Sequence, residues 1–534
     1  MTEASPLVSS AREGRGIWRE YALFCGLFGV NHASMAATLS VASSIVGKDA
    51  AANSSVALYA GYVLTAVFAA PITHFFGARR ALLAAFTLYC FYAGSYMIAL
   101  YDDGLTDGII IAGACIAGVG GGLLWTAHGV YFSQAAALHA ALTGVAVRSV
   151  NLSFASFFGF VFLGTEATFR LMSSVLLSHD TRSTRQALSV FFFCGAVLSA
   201  IAAYPLLPAL PAPAEGADGA GDDGGGGASK GGAALDGGGS GGGSGGGSGG
   251  RSGDGSGAGG SGGSSSSSGG GGGSGSGSGG SSSGSGGSSS GDGDYDAGAT
   301  GGDFFSRLGS SLHRLYRLGV YDPRFALLAP FQAMTGLNAA YINGVVNSDL
   351  ASTLLSSSSL GVLTSLQILA SALLALAFPN LGERRLLAIY MACAATTVSA
   401  VLSGLYFIVD LEAAPGASTF GTWVLLILLY FMDGIGRAVM ESVNRSIFAD
   451  LFPHARHEAY ALLVIEFGTF SCIGYALFPR GGVNHAVPVS LIAALGAIAP
   501  FAYSHADARG APRASSGGAA HEEADGLGAT LIRP

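Results

Sequence analysis

Long apolar segments alternate with short polar ones along the chain, in two blocks of six. A membrane-spanning helix needs about 20 mostly apolar residues. Twelve segments reach that length, and they cover residues 21–46, 56–76, 81–100, 108–132, 150–169 and 187–210 in the first block, and 325–346, 358–379, 386–409, 422–449, 460–478 and 486–503 in the second. The pattern predicts an all-α integral membrane protein with twelve transmembrane helices in two six-helix bundles.

A stretch rich in Gly and Ser, residues 211–302, separates the two blocks. This composition cannot bury a core, so we expect a disordered linker. Apolar residues then recur at helical spacing, which fits either an interfacial amphipathic helix or a simple lead-in to the seventh span. The predicted domains are an N-terminal tail (1–20), a bundle (21–210), the linker (211–302), the lead-in (303–323), a second bundle (324–503) and a disordered tail (504–534).

Composition excludes several classes of protein. Hydrophobic residues make up 50% of the chain and charged residues 11%, whereas a soluble domain has about 25% charged residues. The net charge of −8 resides largely in the linker, and there is no basic face for nucleic acid. The six cysteines lie in apolar segments without CxxC spacing, which favours buried thiols over disulfides or metal ligands. The sequence carries no catalytic motif, so we expect no enzyme, cofactor or metal.

The positions of the basic residues predict the orientation in the membrane. With a cytosolic N-terminus, all but five of the 25 Lys and Arg fall on the cytosolic side; the five are Lys48, Arg170, Arg182, Arg185 and Arg480. Both termini and the linker are therefore expected in the cytosol of a cell whose plasma membrane or endomembrane holds the protein. The sequon at Asn53 would lie in an outer loop, and Asn53 is the predicted glycosylation site.

The two blocks repeat one another. The second span of each block ends in Gly-x-Arg-Arg, at 77–80 and 382–385, and the fourth spans share Gly-x-Gly at 118–120 and 434–436. Two halves in the same orientation indicate parallel repeats. The arrangement resembles the major facilitator superfamily, although His74 and Phe75 stand where that family usually has an acid and a base. The resemblance implies gating or structural roles for Arg79, Arg80, Arg384 and Arg385.

Three further segments, 121–131, 332–337 and 434–453, resemble the Unc-ninety-three-like branch of that superfamily. The family includes regulators of potassium channels and trafficking chaperones of membrane receptors, and some members are described as transporters. Two functions therefore stay open. The first is secondary transport of a small solute or ion, and the alternative is a non-transporting regulator or chaperone of an ion channel or receptor.

Span ten carries the densest set of ionisable residues, which inside a membrane are functional candidates by default. At 100° per residue, Asp433, Arg437, Glu441 and Asn444 share one helical face. Arg437 is one turn from both carboxylates, so we expect it to serve both. We interpret Asp433 and Arg437 as part of a substrate pathway, and Glu441, Asn444 and Arg445 as a structural network at the cytosolic mouth.

Other pathway candidates are spread over four spans. Glu466, in the middle of span eleven, either meets a base on another helix or carries a proton. The remaining candidates lie in the first spans of each half and in the span-four motif: Asn31, His32, Asn338, Trp125 and His128. A buried His is often only a hydrogen-bonding core residue, and Trp is often only an interface anchor.

Gly118 and Gly122 have the small-xxx-small spacing that allows a second helix to approach closely. The surrounding glycines do not form a nucleotide-binding fingerprint, because no strand precedes them and they lie inside a span. We therefore expect a helix-packing role for both glycines.

Overall fold

The computed structural model describes residues 6–101, 106–179, 181–210, 301–351, 357–409, 419–478 and 484–510. Residues 504–510 of the predicted disordered tail are helical instead, because the last helix continues to Gly510. Residues 211–300 of the predicted linker and the tail after residue 510 lie outside the described ranges, so their disorder stays a prediction. The described part of the chain is almost entirely helical.

Six long helices form the N-terminal half: α1 (Pro6–Val46), α2 (Lys48–Phe76), α3 (Ala78–Ala99), α4 (Thr106–Thr143), α5 (Val147–Leu177) and α6 (Arg182–Leu206). Their apolar runs bury one side against each other and leave large hydrophobic side chains on the outer surface. Helix α6 begins with a capping box, in which the Thr181 hydroxyl accepts a hydrogen bond from the Thr184 backbone N–H.

The C-terminal half follows helix α7 (Gly301–Tyr321). It consists of α8 (Pro323–Tyr341), α9 (Ser357–Ala377), α10 (Arg385–Val409), α11 (Thr419–Val439), α12 (Arg445–Leu451), α13 (Arg456–Leu477) and α14 (Ala486–Gly510). Two π-helical segments interrupt the α-helical geometry: Ile342–Ala351 continues α8, and Met440–Asn444 joins α11 to α12. A 3₁₀ segment, Phe378–Arg384, joins α9 to α10.

Among the described residues, 11 helical segments are long and apolar enough to cross a membrane. They correspond to the predicted spans except the seventh, which is helix α8 with its π-helical continuation. Polar side chains at Gln332, Thr335 and Asn338 lower the hydropathy of that helix, and all three are buried in the protein. The helix is therefore present at the predicted place, with its polar residues turned away from lipid.

Equivalent tight turns precede the two Arg pairs of the repeat. Gly77 separates α2 from α3 with a φ of 80°, and Gly382 lies between α9 and α10 with a φ of 52°. A side chain at either position would be strained in this left-handed region, which glycine adopts freely. The structure thus gives the sequence repeat a local physical cause.

Close helix approach at the predicted glycines is confirmed. A Cβ atom on Gly118 would lie 2.3 Å from the Leu58 carbonyl oxygen, and one on Gly122 would lie 2.4 Å from the Tyr62 carbonyl oxygen. Both contacted atoms belong to the backbone of α2 and cannot swing aside. Helices α2 and α4 can therefore pack backbone to backbone only because these positions lack a side chain.

The helix predicted after the linker is confirmed as α7. Its apolar side lies against both halves. Leu315 is buried and packs with Ala70 of α2 and Ala461 of α13, and Arg314 forms a 2.8 Å ion pair with Glu458 of α13. This helix therefore covers the junction of the two halves.

Candidate functional site

A cavity of ≈ 160 Å³ lies between the two halves. Its wall is built from α1 to α5 on one side and, on the other, from α8 to α13 with the two π-helical segments. The predicted candidates that line it are His32, Trp125, Asn338, Asp433, Arg437, Glu441 and Arg445, and unpredicted ones include Tyr59, Tyr62, Tyr89, Arg170 and Gln367. Charged and aromatic side chains thus converge on one space at the interface of the halves.

Glu166 joins two arginines across that interface. This fully buried side chain of α5 accepts hydrogen bonds of 3.0 and 2.7 Å from Arg170, one turn along the same helix. Its other oxygen accepts a 2.5 Å bond from Arg437 of α11. The expectation that Arg437 forms ion pairs with Asp433 and Glu441 is therefore wrong. Arg437 pairs instead with Glu166, a carboxylate from the other half.

Asp433 is held by amides rather than by a cation. Asn338 donates a 2.5 Å hydrogen bond to one carboxylate oxygen, and Gln367 donates to the other. Within the described part of the chain, no basic side chain forms an ion pair with it. Asp433 therefore remains a buried carboxylate whose charge has no cation in contact.

Arg445 and Trp125 close the cavity toward one end. The Arg445 guanidinium lies 4.3 Å from the centre of the Trp125 ring, a cation–π contact between the halves. Glu441 accepts a 2.8 Å bond from the same guanidinium. Trp125 thus lines the cavity rather than anchoring the protein at a membrane interface, and Glu441 and Arg445, which also line the cavity, form one ion pair.

This architecture is similar to that of solved transporter structures. No protein-family model matches the sequence, and no curated protein matches it. The inward-open xylose transporter XylE from E. coli is 14% identical with a TM-score of 0.51, and the alignment covers 91% of this chain and 95% of that chain. A bacterial homologue of the iron transporter ferroportin, in an outward-facing state, is 13% identical with a TM-score of 0.53, covering 92% of this chain and 99% of that chain.

A third similar structure belongs to a named superfamily. It is the major facilitator superfamily proton:xylose symporter XylE bound to 6-bromo-6-deoxy-D-glucose, 12% identical with a TM-score of 0.50, and the alignment covers 92% of this chain and 95% of that chain. The chain has the major facilitator fold. Together with the 11 membrane-length helices of its described residues, this fold indicates an integral multi-pass membrane protein.

In this major facilitator fold, Asn444 belongs to a network inside the C-terminal half and not to the cavity. Asn444 and Gln332 exchange hydrogen bonds of 3.1 and 3.3 Å, and Tyr503 donates to Asn444. The helical-wheel placement was wrong here because the π-helical segment starting at Met440 changes the phase of the helix.

Two other predicted pathway residues lie outside the cavity. Asn31 donates to the Phe86 and Ala196 carbonyls at 3.3 and 3.2 Å and so ties α1 to α3 and α6. Glu466 does not meet Arg437; its Oε2 atom is buried without a hydrogen-bond partner in the described structure. Glu466 is not among the residues that line the cavity.

The two predicted histidines lie in one aromatic cluster. His32 contacts the edge of Trp125 at a ring distance of 5.0 Å and lines the cavity. His128 lies behind it, 4.0 Å from the Phe158 ring, and neither of its ring nitrogens has a hydrogen-bond partner among the described residues. His32 thus remains a pathway candidate, whereas His128 supports the wall.

The arginines of the repeat lie at one end of the bundle, which we call the basic end and define by Arg79, Arg148 and Arg385. Arg79 donates to the Leu207 and Tyr204 carbonyls, which fastens α3 to the end of α6. Arg385 is buried and pairs with Asp450 and, at 2.8 Å, with Asp507. Arg80 and Arg384, the neighbours of these two residues, are exposed.

The basic end also connects the halves. Asn151 of α5 donates a 2.6 Å hydrogen bond to Asp450, and Arg148 lies 3.7 Å from Asp507. Nearby, a Cβ on Gly129 of α4 would lie 2.2 Å from the Tyr460 ring of α13. The halves are therefore in close contact at this end.

Sequence reasoning missed Glu166, Arg170 and Gln367. Arg170 was expected outside the membrane, yet its side chain is buried and lines the cavity. The missed signal was the i,i+4 spacing of Glu166 and Arg170 inside an apolar run, since an acid there requires a partner. Asn53, the predicted glycan acceptor, lies exposed in the helix α2 rather than in a loop, and its modification stays a prediction.

Proposed function

We propose that this protein is a secondary transporter that moves a small solute across a membrane by alternating access. The observation that carries the proposal is the charged cavity between the halves, in which Glu166 and Arg437 pair across the interface. Ionisable groups are costly in a membrane and are retained mainly where they act on a substrate or ion. The cavity of ≈ 160 Å³ is smaller than the about 300–1,000 Å³ typical of pockets for drug-sized ligands, which favours a small solute.

We further propose that the chain belongs to the Unc-ninety-three-like branch and that its basic end faces the cytosol. The contact between Trp125 and Arg445 supports the first point, because it joins the two most extended motif segments of the resemblance. The arginines gathered at the basic end support the second.

Alternating access is testable without knowing the solute. Ser40 lines the cavity and is half-buried, whereas Ser133 is 2% exposed in the contact region of the basic end. In a variant whose six native cysteines are replaced by Ala, we expect cysteine at Ser40 and cysteine at Ser133 to react with an impermeant maleimide from opposite sides of proteoliposomes. Uptake of pooled labelled sugars, amino acids, nucleosides and organic acids is measured on the same vesicles.

The competing function predicts a different result. A non-transporting regulator or chaperone would show one fixed labelling pattern and no solute uptake above that of empty vesicles. Asp433→Asn should lower uptake, while Arg80→Gln, which changes an exposed base, should not. Fixed labelling together with no uptake would reject transport.

A further inference from the structure

We propose that the cavity binds a zwitterionic solute with a small apolar body, in the manner of an α-amino acid. In this pose the solute carboxylate contacts Arg437 and its ammonium contacts Asp433. The inference rests on the proposed transport function and deepens it by naming the class of substrate.

The charges around the cavity sum to zero. Three arginines line it, Arg170, Arg437 and Arg445, together with the acids Asp433 and Glu441. Glu166, behind the wall, contacts the first two arginines. A ligand with a net charge would leave one unit uncompensated in a medium of low dielectric constant, which is unfavourable. A zwitterion keeps the balance.

Arg437 offers unused donors. A guanidinium has five N–H donors, and within the described structure Arg437 makes one hydrogen bond, to Glu166. Its side chain is 26% exposed and lines the cavity. The planar fork of a guanidinium matches a carboxylate in two-point contact, so this face suits the acidic end of a solute.

Asp433 offers the complementary group. Each of its oxygens accepts one amide hydrogen bond, from Asn338 or Gln367, and a carboxylate oxygen has two acceptor sites. Glu441 and Glu166 each pair with an arginine, whereas Asp433 has no cation in contact among the described residues. A solute ammonium would supply that cation one helical turn from Arg437.

The remaining wall favours an apolar body. Tyr59, Tyr62 and Phe467 line the cavity beside the charged groups, together with Met35 and Leu39. Aromatic and aliphatic surfaces gain free energy by covering an apolar group.

Three probes of one shape test the two charges separately. L-Leucine carries both charges, L-leucinamide lacks the carboxylate, and 4-methylpentanoate lacks the ammonium. Binding is measured with the purified full-length protein in detergent, from the concentration dependence of its thermal unfolding midpoint. We expect L-leucine to bind at least about tenfold more tightly than either analogue, since each analogue loses one charge-assisted contact. L-Alanine, L-alaninamide and propanoate form a second set for a smaller body.

Variants of Arg437 and Asp433 test which end of the solute each of these residues binds. Arg437→Gln should abolish the preference for L-leucine over L-leucinamide, and Arg437→Lys should retain it in part, because the charge remains. Asp433→Asn should abolish the preference over 4-methylpentanoate. Arg80→Gln is the control, and the unliganded midpoint of each variant shows whether it is folded.

Two outcomes would overturn the assignment. If neither zwitterion binds more tightly than both of its analogues, or if the preferences survive in both Arg437→Gln and Asp433→Asn, the cavity is not a zwitterion site. Because maleimide labelling at Ser40 and Ser133 requires no solute, alternating access can persist when this proposal fails. Fixed labelling would instead reject the transport function itself.

Discussion

At the scale of single residues, Glu166 determines how the charged side chains at the cavity are paired. It is 0% exposed and binds one arginine of its own helix and one from the other half. A buried carboxylate is tolerated only with such partners. Arg437 consequently has two roles in the structure: it neutralises Glu166, and it presents its remaining donors to the cavity.

Arg437→Leu should therefore destabilise the protein, because Glu166 keeps Arg170 on one oxygen but loses the donor to its other oxygen. Removing one partner of a fully buried pair costs about 3–5 kcal/mol, and the partial exposure of Arg437 should place the cost at the lower end. Arg437→Lys should rescue partly, since an ammonium lacks the guanidinium fork. The measurement is membrane abundance and the unfolding midpoint in detergent, with Arg80→Leu as control. Equal midpoints for Arg437→Leu and the control would mean that the ion pair contributes nothing.

Periodicity predicted the shared face of Asp433, Arg437 and Glu441 in span ten but misplaced Asn444, and it did not predict which atoms these side chains bind. Asp433 and Arg437 do line the cavity, as the 3.6-residue period indicates. The i,i+4 rule then paired Arg437 with Asp433 and Glu441, because it counts only neighbours on the same helix. Glu166 lies 271 positions away in the sequence, so its competition for the guanidinium could not be read from local spacing.

At the scale of elements, glycine decides how closely helices approach. Gly118, Gly122 and Gly129 of α4 each face an atom of another helix that a Cβ would strike. Sequence spacing predicted the first two, whereas the packing of Gly129 against Tyr460 depends on the other half. The apolar spans likewise predicted the helices, while the π-helical phase change at Met440 had no sequence signal that we recognised.

Gly122→Ala should destabilise the packing of α2 on α4. The added methyl group would lie 2.4 Å from the Tyr62 carbonyl oxygen and 2.8 Å from the Ala66 amide nitrogen, and such overpacking costs about 1–3 kcal/mol. Gly164→Ala is the matched control, because its Cβ would meet no atom within 4 Å and Ala favours the helix by about 1 kcal/mol. We expect the unfolding midpoint to fall in the first variant and to stay or rise in the second. A fall of equal size in both would mean that the loss does not come from the close approach of α2 and α4 at Gly122.

At the scale of the whole molecule, the two halves are joined by ion pairs and not only by chain connection. Helix α5 contacts the C-terminal half at Glu166, behind the cavity wall, and at Asn151 near the basic end. Helix α7 adds a third connection through Leu315. Alternation between two states would require these polar contacts to break and re-form together.

Deleting residues 237–290 should leave folding intact. These residues lie outside the described part of the chain, and their Gly- and Ser-rich composition supplies no core. The full linker of about 90 residues would have a root-mean-square reach of about 50 Å, and the roughly 38 residues left by the deletion still reach about 34 Å, so we expect the shortened linker to join the halves. Membrane insertion and the unfolding midpoint of the deletion variant are compared with those of the full chain. A lower midpoint would mean that the segment makes stabilising contacts.

Arg385 should hold the basic end closed. It is 3% exposed and neutralises both Asp450 and Asp507, while Asn151 of the other half donates to Asp450. Arg385→Gln leaves two carboxylates close together, where their repulsion favours separation and the entry of water. We therefore expect cysteine at Ser133, which lies in this contact region, to react with an impermeant maleimide several times faster in the Arg385→Gln background. Arg384→Gln changes the exposed neighbour and should leave the rate unchanged.

Because unfolding would expose every cysteine, the reactivity of cysteine at Ala114, which is fully buried in α4, must stay low in the same samples. Unchanged reactivity at Ser133 in a folded Arg385→Gln protein would mean that the cluster stabilises the C-terminal half alone and does not hold the two halves together.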